Sequence, residues 1–122
     1  MQKILLILVA LLLLVGCSTS EKSYETIDIT TIENKVSDGW QIVDVREIEE
    51  YNAGHIPDAR NVPLSAIAQG DYGSLEQDQK YIIICQSGNR SQTASEQLTK
   101  AGFQVLNVKQ GMSSWNGDII NK

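Results

Sequence analysis

Apolar and polar positions divide the chain into two regimes. Ile4 to Val15 is an unbroken run of twelve apolar residues. From Thr26 onward the apolar residues come in short runs parted by turn formers. Thr26–Ile29 alternates and predicts a first strand. Thr30 or Thr31 can cap a helix through about Ser37, with Ile32 and Val36 one turn apart on its inner face. Gln41–Val45 is apolar on successive positions, as a strand buried on both faces of a parallel sheet would be. Arg46–Tyr51 predicts a short acidic helix, and Asn52–Ala59, with its Gly, Pro and Asp, a loop. Arg60–Pro63 predicts a brief third strand, Leu64–Gln69 a turn or two of helix, and Lys80–Ile84 a central strand. Ser91–Lys100 carries Ala94 and Leu98 at helical spacing and ends at Gly102, a suitable C-cap. Phe103–Val108 predicts a fifth strand, and Gly111–Trp115 the start of a closing helix. Strands alternating with helices imply an α/β fold, a five-stranded, mainly parallel sheet flanked by helices.

The stretch Cys85-Gln86-Ser87-Gly88-Asn89-Arg90-Ser91 carries the candidate chemistry. It joins the end of the central strand to the start of a helix, where α/β proteins bind ligands. Amides around a small Ser-Gly turn can form a nest for an anion, ahead of a helix N-terminus of partial positive charge. Amides and a nearby guanidinium favour the thiolate of Cys85 over the thiol. The plainer reading is a buried cysteine that closes a core strand. It leaves Arg90 without a purpose, and arginine suits a small anion. The expectation is therefore a nucleophilic sulfur, open at the mouth of the sheet.

Charge narrows the partners. With 15 acidic and 10 basic residues among 122, the formal net charge is −5, which disfavours a nucleic-acid partner. Any attraction for an anionic substrate must come from the loop itself. One histidine, His55, and two cysteines supply no metal-ligand set, so no metal and no cofactor is expected.

The leading apolar run follows Met1-Gln2-Lys3 and is shorter than the ~20 residues of a membrane span, which fits a signal-peptide core. It ends in Leu14-Val15-Gly16-Cys17, which resembles the lipobox of bacterial lipoproteins. That resemblance implies a signal peptide over 1–16, lipidation of Cys17, and a polar tether over 17–25. It places the domain on the extracytoplasmic face of the cell membrane, held by a lipid anchor. Cys85 is then the only thiol left, with no disulfide partner and free to react.

From about Thr26 to Trp115 the chain resembles the single-domain rhodaneses, a sulfurtransferase family. The resemblance rests on four motifs in order: Asp44-Val45-Arg46; Gly54-His55-Ile56-Pro57-Asp58-Ala59 with Asn61-Val62-Pro63; the loop Cys85–Arg90; and Gly111 with Trp115. It implies a rhodanese-like domain over 26–119, acting as a monomer. It implies that Cys85 takes a sulfane sulfur from a donor such as thiosulfate as a persulfide and passes it to a thiol acceptor. Gln86, Ser87, Gly88, Asn89, Arg90 and Ser91 would stabilise the thiolate and then the persulfide. Asp44 and Arg46 would brace the neighbouring loops, by hydrogen bonds or an ion pair with Glu47 or Asp58. In this family His55 belongs to a structural turn. Glu47, Glu49 and Glu50 read as a solvated helix face. Gln86 departs from the pattern, since many thiosulfate-using relatives carry a basic residue there.

Two other functions fit part of the pattern. A redox-sensing or non-catalytic binding module would use the same cysteine without turnover. A phosphatase or arsenate reductase would need five residues between cysteine and arginine, and four stand here.

Overall fold

The computed structural model describes residues 23–122. The signal peptide expected over 1–16 and the lipidated Cys17 lie outside the described residues, as does most of the tether. The chain forms β1 (Glu25–Ile27), α1 (Ile32–Ser37), β2 (Gln41–Asp44), α2 (Ile48–Ala53), β3 (Arg60–Asn61), α3 (Leu64–Ile67), β4 (Lys80–Ile84), α4 (Arg90–Lys100) and β5 (Gln104–Val108). The strands lie in the order β1-β5-β4-β2-β3, and every pair is parallel. Among the described residues no helix is long and apolar enough to cross a membrane.

Strand parity splits the interior into two layers. Ile82 and Ile84 of β4 pack with Ile27, Ile32, Ile42, Leu106 and Val108 on one side. Tyr81, Ile83 and Cys85 pack with Val43, Val45, Ala94, Leu98 and Val105 on the other, under α4. Cys85 therefore leaves the strand on the α4 side. The connection from β2 runs outward to β3, whereas that from β4 runs the opposite way to β5. The carboxyl ends of β2 and β4, paired through Asp44 and Ile84, thus flank the switch point where the crevice of an open α/β sheet lies.

Three local expectations are corrected. Thr31 stands at the N-cap position of α1, but its side chain makes no cap bond; Asp28 caps the turn ahead of the helix instead, its carboxylate accepting from the Thr30 N–H at 2.9 Å. An ionised acceptor on the orphan amides is a stronger cap than a hydroxyl. The acidic helix starts at Ile48 rather than Arg46, because the Arg46 N–H is drawn to Asp44 Oδ1 at 3.0 Å. The closing helix is absent: Met112–Ser114 is a single 3₁₀ turn and Trp115 is already extended. The polar Asn116-Gly117-Asp118 that follows offers no apolar period, and Trp115 Nε1 donates to the Asp118 carbonyl at 3.0 Å. Beyond it the chain folds back so that Ile120 pairs with His55.

Candidate active site at the switch point

Two loops meet around Cys85. The Met112 N–H donates to the Cys85 carbonyl at 2.8 Å, and the Ser113 N–H to the Gln86 carbonyl at 3.1 Å. Within a planar trans peptide the N–H points opposite to the preceding carbonyl. Pinning the Gln86 carbonyl toward the loop after β5 therefore turns the Ser87 amide the other way, toward the sulfur. The Gly88 N–H reaches Cys85 Sγ at 3.1 Å. Such an approach requires bare backbone. A Cβ on Gly88, at φ +98°, would stand 2.3 Å from the Lys109 carbonyl oxygen; one on Gly111 would stand 2.2 Å from the Gln86 carbonyl.

The electrostatics of the ring follow from what surrounds the sulfur. Burial pushes the Cys85 thiol up; the Ser91 hydroxyl and the amides of Ser91, Gly88 and Ser87 pull it further the other way, so it ionises below the usual thiol value. Ser91 Oγ is buried and makes no hydrogen bond of its own in the structure, so its proton is free to turn toward the sulfur. A pH profile of Cys85 alkylation by iodoacetamide is accordingly expected to have its midpoint below the usual ~8.5 of a free thiol. Ser91→Ala removes one donor to the anion, so the midpoint moves up. An unchanged midpoint would mean that the hydroxyl does not serve the sulfur.

One expectation about the sulfur is corrected. Cys85 is 1 % exposed rather than open at the mouth of the sheet. Strand parity directs it under α4, and Gly88 and Ser91, both buried, close over it, while Ser87 and Asn89 remain exposed on the rim. The sulfur is enclosed, yet the groups around it are donors aimed at it rather than hydrocarbon alone.

The two arginines are held in different ways. Arg46, 5 % exposed, is forked onto the fully buried Asp44, with Nη2 at 2.8 Å from Oδ2. It also donates to the Gly54 carbonyl at 2.7 Å and to Gln86 Oε1 at 3.2 Å. Asp44 and Arg46 thus brace the loops by side-chain hydrogen bonds, paired with each other, and the ion pair expected with Glu47 or Asp58 does not form. Arg90 turns its guanidinium to Glu50, with Nη1–Oε1 2.6 Å and Nη2–Oε2 2.8 Å. Hydrogen bonding from Arg90 holds the Glu50 carboxyl down at about 2, and the thiolate's charge contributes to raising Arg90.

Glu50 is the site-lining residue that sequence reasoning missed; it is not simply part of a solvated face. Besides Arg90, it reaches back to accept from the Glu47 N–H at 3.2 Å, which anchors it to the first turn of α2. The Glu-x-x-Glu spacing at the start of a helix was the available signal. His55, by contrast, sits in its turn as expected, with Nδ1 on the Tyr51 carbonyl at 2.9 Å and its ring stacked on Tyr51. Gln110 ties the β1 end of the sheet, accepting from the Ile29 N–H at 2.9 Å. Among the described residues no group of three or more His, Cys, Asp or Glu could hold a metal ion.

With this geometry in place, comparison with known proteins is direct. Residues 28–118 match the family described as "Rhodanese-like domain". The Bacillus subtilis protein named "Putative sulfur carrier protein YrkF" is 39% identical over 103 residues, covering 82% of this chain and 55% of that one, so the chain spans about half of that relative. "Putative sulfurtransferase YtwF" of the same organism is 38% identical over 81 residues, covering 66% of this chain and 78% of that one. Among solved structures, a rhodanese-related protein from Thermoplasma volcanium superposes with a TM-score of 0.73 at 30% identity, covering 81% of this chain and all of that one. A parallel five-stranded sheet, a cysteine ring at its switch point and these similarities together place the chain in the rhodanese-like domain family.

Proposed function

We propose that this protein is a sulfurtransferase that carries a sulfane sulfur on Cys85 as a persulfide. The observation that supports it is the ring of donors on Cys85 Sγ, the Gly88 amide at 3.1 Å among them, which favours the thiolate despite burial. The thiolate attacks the outer sulfur of the donor. A Cys85 S–S bond forms, the donor's own sulfur–sulfur bond breaks, and sulfite or a thiolate leaves with the electron pair. The new terminal sulfur stands about 2 Å beyond Sγ and carries the charge, so the amides of Ser87, Gly88 and Ser91 face charge as it moves outward. An acceptor thiolate then takes that sulfur and returns Cys85 to its starting state. Four residues between Cys85 and Arg90 make a ring suited to one sulfur atom rather than a tetrahedral phosphate.

Assay with cyanide as acceptor tests the reading. Thiocyanate is expected from at least one class of sulfane donor, thiosulfate or an organic persulfide. Inactivity with every donor would favour a redox-sensing or binding module instead.

The same proposal extends to location. The order Lys3, apolar run, Gly16-Cys17 supports export and lipidation at Cys17, with the domain outside the cytoplasm. Two signals usually secure a stable anchor, which a diacylated cysteine would supply. In a cell that makes lipoproteins, Cys17→Ser is expected to abolish fatty-acid labelling and move the protein from the membrane to the soluble fraction. Unchanged labelling and membrane retention in the variant would exclude Cys17 as the anchor.

A further inference from the structure

The two cations beside the cysteine ring are already occupied by carboxylates of this chain. Arg46 is spent on Asp44, Gly54 and Gln86. Arg90 presents the planar fork that would suit an incoming oxyanion, and both of its ends rest on the two oxygens of Glu50. The Arg90 and Glu50 side chains are about one-third exposed, so the pair sits at the rim rather than in the core. Glu50 is not a loosely held surface group. Its position in the first turn of α2 and its bond from the Glu47 N–H hold it over Arg90 without much further loss of side-chain freedom. Glu47, whose charge also acts on Arg90, adds a second negative group beside the mouth. Lys109 contributes its backbone to the contact with Gly88, while its charge acts on Asp28. A donor reaching Cys85 therefore meets a neutral ring of amides, two neutralised arginines and a thiolate.

We infer that Glu50 is a specificity-determining residue: it fills the anion seat on Arg90 and so steers the ring away from dianionic donors such as thiosulfate and toward organic persulfides. This rests on the sulfurtransferase reading and narrows its donor class. A dianion must either displace Glu50 from Arg90 or approach beside it, and like-charge juxtaposition is costly. A hydropersulfide, R–S–SH, brings at most one charge. The Cys85 thiolate attacks its terminal sulfur, the bond to the R sulfur breaks, and RS⁻ leaves with the electron pair. The proton stays on the transferred sulfur or passes to RS⁻.

The test compares thiosulfate with cysteine persulfide as donors to the full-length protein and to Glu50→Gln, reading kcat/KM and the mass of the persulfide intermediate. The unaltered protein is expected to favour the persulfide. Glu50→Gln keeps the side-chain length, removes the charge, and is expected to raise kcat/KM for thiosulfate by about tenfold or more. Its kcat/KM for cysteine persulfide is not expected to rise with it, so the ratio of thiosulfate to persulfide use increases. An unchanged ratio of the two donors, or an equal fall for both, would overturn the assignment and leave Glu50 as a brace of the loop. Salt dependence of the unaltered protein needs no variant to fold. Screening of the negative rim is expected to raise the thiosulfate rate relative to the persulfide rate between low and high ionic strength, and a flat ratio would also count against it. If neither donor loads Cys85 in either protein, the sulfurtransferase reading fails, which is a different result from an unchanged ratio.

Discussion

Cys85→Ser abolishes sulfur transfer while leaving the fold in place. The expected loss is about 10⁴-fold or more, the scale seen when a covalent nucleophile is removed. Serine keeps the shape of the side chain but not its acidity, so the amides that favour a thiolate have no anion to hold at neutral pH. They still satisfy the new hydroxyl. The cost in stability should therefore be small, on the order of 1 kcal/mol, because no buried polar group is orphaned. Thiocyanate formation and thermal unfolding measured side by side check both halves. A variant with activity within tenfold of the parent would remove Cys85 from the chemistry. One that failed to fold would show that the sulfur is chiefly a packing group.

Gly88→Ala carries the second large effect, for two reasons that add. At φ +98° any L side chain is strained, by about 1 kcal/mol or more. In addition the new Cβ would stand 2.3 Å from the Lys109 carbonyl oxygen, which is backbone and cannot simply turn away. The loop after β5 and the cysteine ring must then separate. The Met112 and Ser113 bonds that tie the two loops together are the ones at risk. A displacement near 1 Å at a reacting centre costs about 10²-fold. Gly70→Ala is the matched control. Its φ of +79° brings strain, yet nothing lies within 4 Å of the added Cβ, and it is remote from the ring in sequence. It should lose some thermal stability and keep its activity. Equal activity losses in the two variants would mean that strain alone, not the contact between the loops, governs the site.

How much of this was legible in the sequence depends on the range of each interaction. β4 was readable to the residue because Tyr81–Ile84 is a continuous apolar run entered from Lys80 and bounded by polar segments. The ring after it was readable because its donors, acceptor and glycine fall within seven consecutive positions. The partner of Arg46 was misassigned although it lies two residues away. Asp44 ends a buried strand, where an acid looks out of place until its ion pair is seen. The Glu-x-x-Glu spacing could mark Glu50 as a capping residue, but its pairing with Arg90 was invisible for the opposite reason. Its partner is 40 residues distant, and three glutamates within four positions look the same whether they face water or a guanidinium. Strand parity could have placed Cys85 beneath α4. That Ser91 and Gly88 would close over it depended on the pinning of two carbonyls by Met112 and Ser113, a tertiary contact with no local signature. The missing closing helix shows a similar limit, since a glycine followed by Met-Ser-Ser suits a helix start as well as one isolated turn.

The central claim is that a ring of main-chain donors lets one enclosed cysteine carry a second sulfur. Intact mass of the purified protein after brief exposure to a sulfane donor tests it most directly. A gain of about 32 Da that maps to Cys85 and disappears on addition of cyanide or a thiol is the predicted result. A protein that stays at its original mass with every donor, while its thiol still titrates below the ordinary range, would contradict it.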